Sequence, residues 1–512
     1  MNAGGSLFFT PLRQLAAKVR ARQVSPVALA EESLRRLDTH GRKLNAVVTL
    51  AGDDAIAAAR EAEREIRRGR YRGPLHGIPY GAKDLLATKK MPTTWGAAPY
   101  RNQQFSYDAT VIRKLADAGA VLVSKLAMVE LAGGMGYNNA DASFTGPGLN
   151  AWNTGFWSGG SSSGPGSAVA AGLVPFAIGS ETVGSIITPA AFSGVTGLRP
   201  TYGLVSRHGA MALCWTLDKL GPLARGADDC ALVLAALAGK DEADPTTATP
   251  PRAPRPPRAR PRIGVLKGAT EFVQSEVAKN FEDSLAVLAR FADVTRDVAL
   301  ADLPYGLCAG TIVDAEGGSA FIELIESGGI RELQAKSDRY GGYSSVMTPA
   351  VDYLHAMRLR EKMRAPMEAL FGRYDALAAP SRASVAYPIG VDFDKAWPEL
   401  AKGRPANFVS AIGSLISAGN LVGWPAISMP NGFGQEGLPT GLHLLGGPFR
   451  ETDLAAIGRE YQRRTDFHLR RAPGYSREGE ASGAPAMAAA TSTSFSPPAA
   501  RRGGGRSDVR SS

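Results

Sequence analysis

The chain has 512 residues, of which 44% are hydrophobic and 21% charged, the balance of a globular protein long enough to bury a sizeable core. No run of about eighteen apolar residues predicts a transmembrane helix. The N-terminus does not read as a secretory signal, and three scattered cysteines, Cys214, Cys230 and Cys308, form neither a disulfide framework nor a metal pattern. Buried thiols in a reducing cytoplasm are the expectation. The net charge of +10 does not announce a nucleic-acid partner. Its excess lies in Arg252, Arg255, Arg258, Arg260 and Arg262 and in the segment from Arg470 onward, and the remainder has no basic face to grip phosphates.

In chain order, Ser25-Pro26 places a cap and a first-turn proline before the helix VALAEESLRRL, LNAVVTL reads as a short strand, and AGDDAIAAAREAEREIRR is an alanine-rich amphipathic helix. ATVIRKLADAGAVLVSKL predicts a helix followed by a strand, the alternation of an α/β protein. Residues 241–262 are rich in proline and arginine and predict a surface linker. Beyond them come a strand at RIGVL, helices near 276–292 and 350–372, and strand-and-turn segments at DALAAPS, PAISMP and GLPTGLHLLGG. A single domain over 1–470 is expected, with a disordered tail at 475–512 of small residues and arginine.

Residues 158–200 hold a Gly/Ser cluster, an apolar helix-like segment, a second Gly-Ser turn and a third run of small residues. A flexible linker does not fit, because the cluster runs into AVAAGLVPFAIG, which must be buried. A phosphate loop does not fit either, since no lysine follows the glycines. Tight helix–sheet packing remains open. So does a nucleophile elbow at Gly160-Ser161-Ser162-Ser163-Gly164, although no apolar strand precedes it and neither His355, His443 nor His468 stands in a catalytic setting. A serine needs a base to act as nucleophile. Lys83, in GIPYGAKDLLAT, serves only if burial keeps it neutral; next to Asp84 it also fits an ion pair.

The segments LHGIPYGAKD, GGSSSG and ETVGSIITPAAFSGVTGLRPTYG resemble successive signatures of the amidase signature family, and the resemblance extends over about residues 5–465 through TTWGAAPY, LDKLGPLAR and NLVGWPAISMPNG. It implies a mixed central β-sheet sandwiched by helices and a Ser-cisSer-Lys mechanism. Lys83 would be the base, Ser161 the relay after a cis peptide, and Ser185 the nucleophile. The oxyanion would rest on the N–H groups of Thr182, Val183, Gly184 and Ser185, with Ser162 and Glu181 supporting. The substrate implied is a small-molecule amide, with no metal or organic cofactor, no nucleic acid and no membrane; a homodimer is allowed. The alternative that the family offers is a glutaminase like the A subunit of tRNA amidotransferases.

Two positions depart from the commonest pattern, D-x-G-G-S-I-R. Val183 replaces the first glycine, which is tolerable if its φ stays negative. Ile187 stands where arginine is usual, which leaves Glu181 without that salt-bridge partner. Arg360 matches the family arginine that reads glutamine, but the acid expected seven residues before Asn420 is Gly413, which argues against glutamine. Tyr137, Trp152, Phe156, Trp157 and Trp215 either line an acyl pocket or pack the core, with Tyr137 the candidate substrate contact.

Overall fold

The computed structural model describes residues 5–248 and 257–475; the expected tail and the middle of the expected linker lie outside the described residues. Ser25 caps the helix Pro26–Arg36, its Oγ accepting from Ala28 N at 3.2 Å. The alanine-rich run forms Gly52–Arg67, and the later expected helices appear as Ser275–Leu288 and Ala350–Arg373.

Among the described residues, eleven strands form one mixed sheet. They are β1 (Val47–Leu50), β2 (Pro79–Lys83), β3 (Val121–Leu126), β4 (Phe176–Glu181), β5 (Thr196–Arg199) and β6 (Lys219–Ala224). β7 (Arg262–Leu266), β8 (Asp293–Val298), β9 (Ala376–Pro380), β10 (Ala426–Phe433) and β11 (Pro439–Gly446) complete it. The spatial order is β1-β3-β2-β4-β6-β5-β10-β11-β9-β7-β8. β2 runs parallel to both β3 and β4, and β7 parallel to β8 and β9; the remaining neighbours are antiparallel.

Alternation along β4 shows why a sheet buried on both faces reads as a continuous apolar run. Phe176 and Ile178 enter one core, with Leu12, Leu15 and Val19 of the N-terminal helix; Ala177 enters the other, with Ala55, Ala59 and Ala168. Helices therefore cover both faces. Tyr80 of β2 stacks on Phe176 at 5.3 Å, fixing the register of the pair at its base.

The apolar run expected to be helical is divided: a helix spans Ser163–Ala170, the chain turns at Gly172 with φ +60°, and Phe176 begins β4. The first part of the expected linker is anchored. Asp241 accepts from Thr110 and Ser206, each at 2.6 Å, and Asp244 from Arg207 N at 2.7 Å. Proline-rich composition was a poor guide there because short aspartates pin the turns. The three cysteines are buried and free.

Candidate active site

Three structural joints converge on the C-terminal ends of β2 and β4. Lys83 is the last residue of β2 and fully buried. Its Nζ lies 2.7 Å from Ser161 Oγ and 2.9 Å from Ser180 Oγ. Asp84, one residue on, projects to the opposite side and pairs with Lys125 at 2.8 Å, so Lys83 has hydroxyls and no carboxylate against it. Burial pushes the Lys83 amine down to about 7, against the smaller opposing pull of Asp218 and Glu181.

Ser161 follows a cis peptide from Gly160. The neighbouring Ser162 is tied to β4: its Oγ donates to Ser180 O at 3.1 Å and accepts from Ser180 N at 3.3 Å. That engagement, with no histidine among the described hydrogen-bond partners of Ser162, speaks against the elbow reading. His443 is buried in β11 without a partner for either ring nitrogen, and His355 is exposed.

Ser185 lies in the turn between β4 and the buried helix Ile187–Ser193. Its hydroxyl makes no hydrogen bond to another described residue, and the N–H groups of Thr182, Val183, Gly184 and Ser185 are likewise unengaged. Four free backbone donors beside a serine form a ready cradle for an oxyanion. The turn has φ +95° at Gly184, while Val183 keeps negative φ. Only the second glycine of the family pattern is therefore required by backbone conformation.

The turn is held from beneath. Thr182 Oγ1 donates to Asp218 Oδ1 at 2.6 Å, and Asp218 also accepts from Leu213 N and Cys214 N. Glu181 accepts from Ile186 N and Ile187 N at 2.8 and 3.0 Å. With isoleucine at 187, Glu181 takes its salt bridge from elsewhere in the fold: Arg199, at the end of β5, reaches it at 2.7 Å, and Asn420 adds a bond at 2.9 Å. Burial alone would raise the Glu181 carboxyl, but Arg199, Asn420 and the backbone donors outweigh it and bring it down to about 2. Ser180, Asp218 and Arg199 escaped the sequence reading. Asp218 and Arg199 sit inside segments already quoted and Ser180 falls between two of them, yet nothing in their spacing assigns them a partner.

The expected substrate residues separate. Arg360 donates to the carbonyls of Leu421 and Thr216, at 2.6 and 3.0 Å, and so clamps backbone. Gly413 is exposed in the first turn of the helix Ala411–Leu421. Trp215 lines a cavity of about 180 Å3 that reaches Ser180 and Thr182. Trp152 donates its Nε1 to Ser193 O. Tyr137 meets Trp157 and Phe393 edge-on at 6.1 and 5.7 Å, part of an aromatic wall that includes Phe156, Phe192 and Tyr387.

A mixed sheet with a buried lysine, a cis-serine and a serine at a cradle of free N–H groups defines a class of amide-processing enzymes, and comparison with known proteins agrees. Residues 28–455 match the model of the Amidase family, and the chain belongs to that family. It is 33% identical to the A subunit of the glutamyl-tRNA(Gln) amidotransferase of Moorella thermoacetica, covering 91% of this chain and 98% of the relative. Native peptide amidase from Stenotrophomonas maltophilia is 30% identical with a TM-score of 0.77, covering 91% and 98%. A chain of the vestigial complex described as revealing the origins of an s-triazine catabolic enzyme has a TM-score of 0.80 at 28% identity, covering 89% and 98%.

Proposed function

We propose that the chain hydrolyses a carboxylic acid amide to the acid and an amine or ammonia through an acyl-enzyme on Ser185. The observation that carries this reading is Lys83, fully buried, 2.7 Å from the cis-serine and without a carboxylate partner. As a neutral amine it takes the Ser161 proton while Ser161 takes that of Ser185. Ser185 Oγ attacks the amide carbon, and the oxyanion collects the N–H groups of the 182–185 turn. The relay then returns the proton to the leaving nitrogen, and water enters by the same path to release the acid.

A fluorophosphonate should label Ser185, and a panel of aliphatic, aromatic and amino-acid amides should show turnover that Ser185→Ala abolishes. Labelling at Ser162 instead would sink this mechanism.

Relatives named as the A subunit of an amidotransferase favour a second reading, a glutaminase working within a complex. Gly413 and the backbone engagement of Arg360 weigh against it, since the ammonium and carboxylate of glutamine then lack the expected partners. Ammonia release from glutamine at a rate matching the best simple amide would reverse that judgement.

A further inference from the structure

The aromatic wall beside the cis-serine carries a charge that the relay does not use. Arg382 follows β9, half-buried, and its Nη2 donates to Tyr387 Oη at 3.2 Å. Among the described residues no carboxylate pairs with it and no carbonyl accepts from it. Other well-covered arginines are committed: Arg199 to Glu181 and Trp424 O, Arg225 to His468 O and Arg470 O, Arg360 to Leu421 O and Thr216 O.

The wall leads from Arg382 to the relay. Tyr387 stacks on Trp157 at 6.4 Å and meets Phe192, in the helix that begins just after Ser185, edge-on at 5.4 Å. Tyr387 O also accepts from Trp157 N. The Trp157 ring is seated against Gly160, where a Cβ would come within 2.5 Å of it, so the wall abuts the residue bonded to Ser161. Tyr137, on the same wall, lies in the field of Arg382. Asp338, whose field also reaches Tyr137, makes no ion pair with Arg382; burial and Glu130 push its carboxyl above the usual carboxylate range.

A guanidinium removed from water without a counter-ion is costly, and a bidentate carboxylate is its best-matched partner. Resting on the hydrolase reading above, we propose that Arg382 binds a carboxylate of the substrate, so that the chain acts on amides carrying a free acid group. The neighbouring rings cover part of the guanidinium, which would strengthen that pairing.

The test uses the full chain and two carboxylate amides: succinamate, with the acid on the acyl half, and N-benzoylglycine, with the acid on the amine half. Each is compared with its neutral methyl-ketone isostere. One of the two should be preferred by about 30- to 100-fold in kcat/KM. Arg382→Gln should collapse that ratio to within about fivefold, mainly through KM, and Arg382→Lys should restore part of it. No preference in the wild type, or a preference that survives Arg382→Gln, overturns the proposal.

Calorimetric titration of the Ser185→Ala protein with the same two acids reads binding without turnover. Heat of binding lost on adding Arg382→Gln supports the site, and its absence at the outset overturns it. Failure of every amide to turn over, with Ser185 unlabelled, would instead overturn the hydrolase assignment.

Discussion

Lys83 and Lys125 sit on adjacent parallel strands, both buried, and differ in what meets their amines. In the register of β2 and β3, Lys83 pairs with Leu126 and Lys125 with Ala82, so the two side chains leave opposite faces of the sheet. Lys125 finds Asp84 at 2.8 Å and Thr93 Oγ1 at 2.7 Å. Lys83 finds two serine hydroxyls. Burial pushes both amines down, but only Lys125 has a carboxylate in direct contact with its amine. The same residue type is thus an ion-paired cation on one face and, in the proposed mechanism, a proton acceptor on the other, and the partner decides which.

Breaking the acceptor side should give the largest effect. Ser185→Ala and Lys83→Ala should each lower kcat by roughly 10^5, and the double variant should be little worse, because members of one relay do not add. Ser161→Ala should fall short of that loss. If the double loss equalled the product of the single ones in steady-state assays, the relay would be wrong.

Breaking the cation side should move stability instead. Lys125→Met leaves Asp84 buried and unpaired and should cost about 3–5 kcal/mol in a urea titration, with turnover per folded molecule retained. Lys83→Met should do the reverse, silencing the protein without a comparable loss of stability. Equal destabilisation by both substitutions would erase the contrast.

The pH profile sharpens it further. The proposed mechanism uses Lys83 deprotonated, so kcat should rise with pH through about 7 and level off above. A falling profile across that range would exclude a neutral lysine base. Smallest of all, Asp218→Asn removes a charge that holds the Lys83 amine up. It should move the midpoint of the kcat profile down by less than about one unit; an upward move would show that Asp218 acts through the turn alone.

The contrast was only half legible in the sequence. Lys83 followed by Asp84 fits an ion pair as well as a base, and only strand alternation separates the two, once the carboxylate is seen to face Lys125. The mixed sheet followed from the resemblance to the family, and the same resemblance, rather than the run of small residues, singled out Lys83, Ser161 and Ser185. Arg199 was not legible, since its partner Glu181 lies 18 positions away and meets it only after β6 has inserted between β4 and β5. The helix Tyr305–Ala320 also escaped notice. YGLCAGTIVDAEGGSA is rich in glycine and shows no apolar stripe, so the period that marks amphipathic helices is missing.

The turn that carries Ser185 separates a fixed position from a variable one. Gly184, at φ +95°, admits no side chain without strain, whereas Val183 already bears one and remains half-buried against the larger core. In the proposed mechanism the oxyanion cradle is main chain, so exchanging the group at 183 would alter the surface beside the reacting carbonyl and leave the donors in place. Position 183 is therefore the natural dial for acyl-group selectivity in this scaffold, and libraries confined to it keep the chemistry constant while the substrate changes.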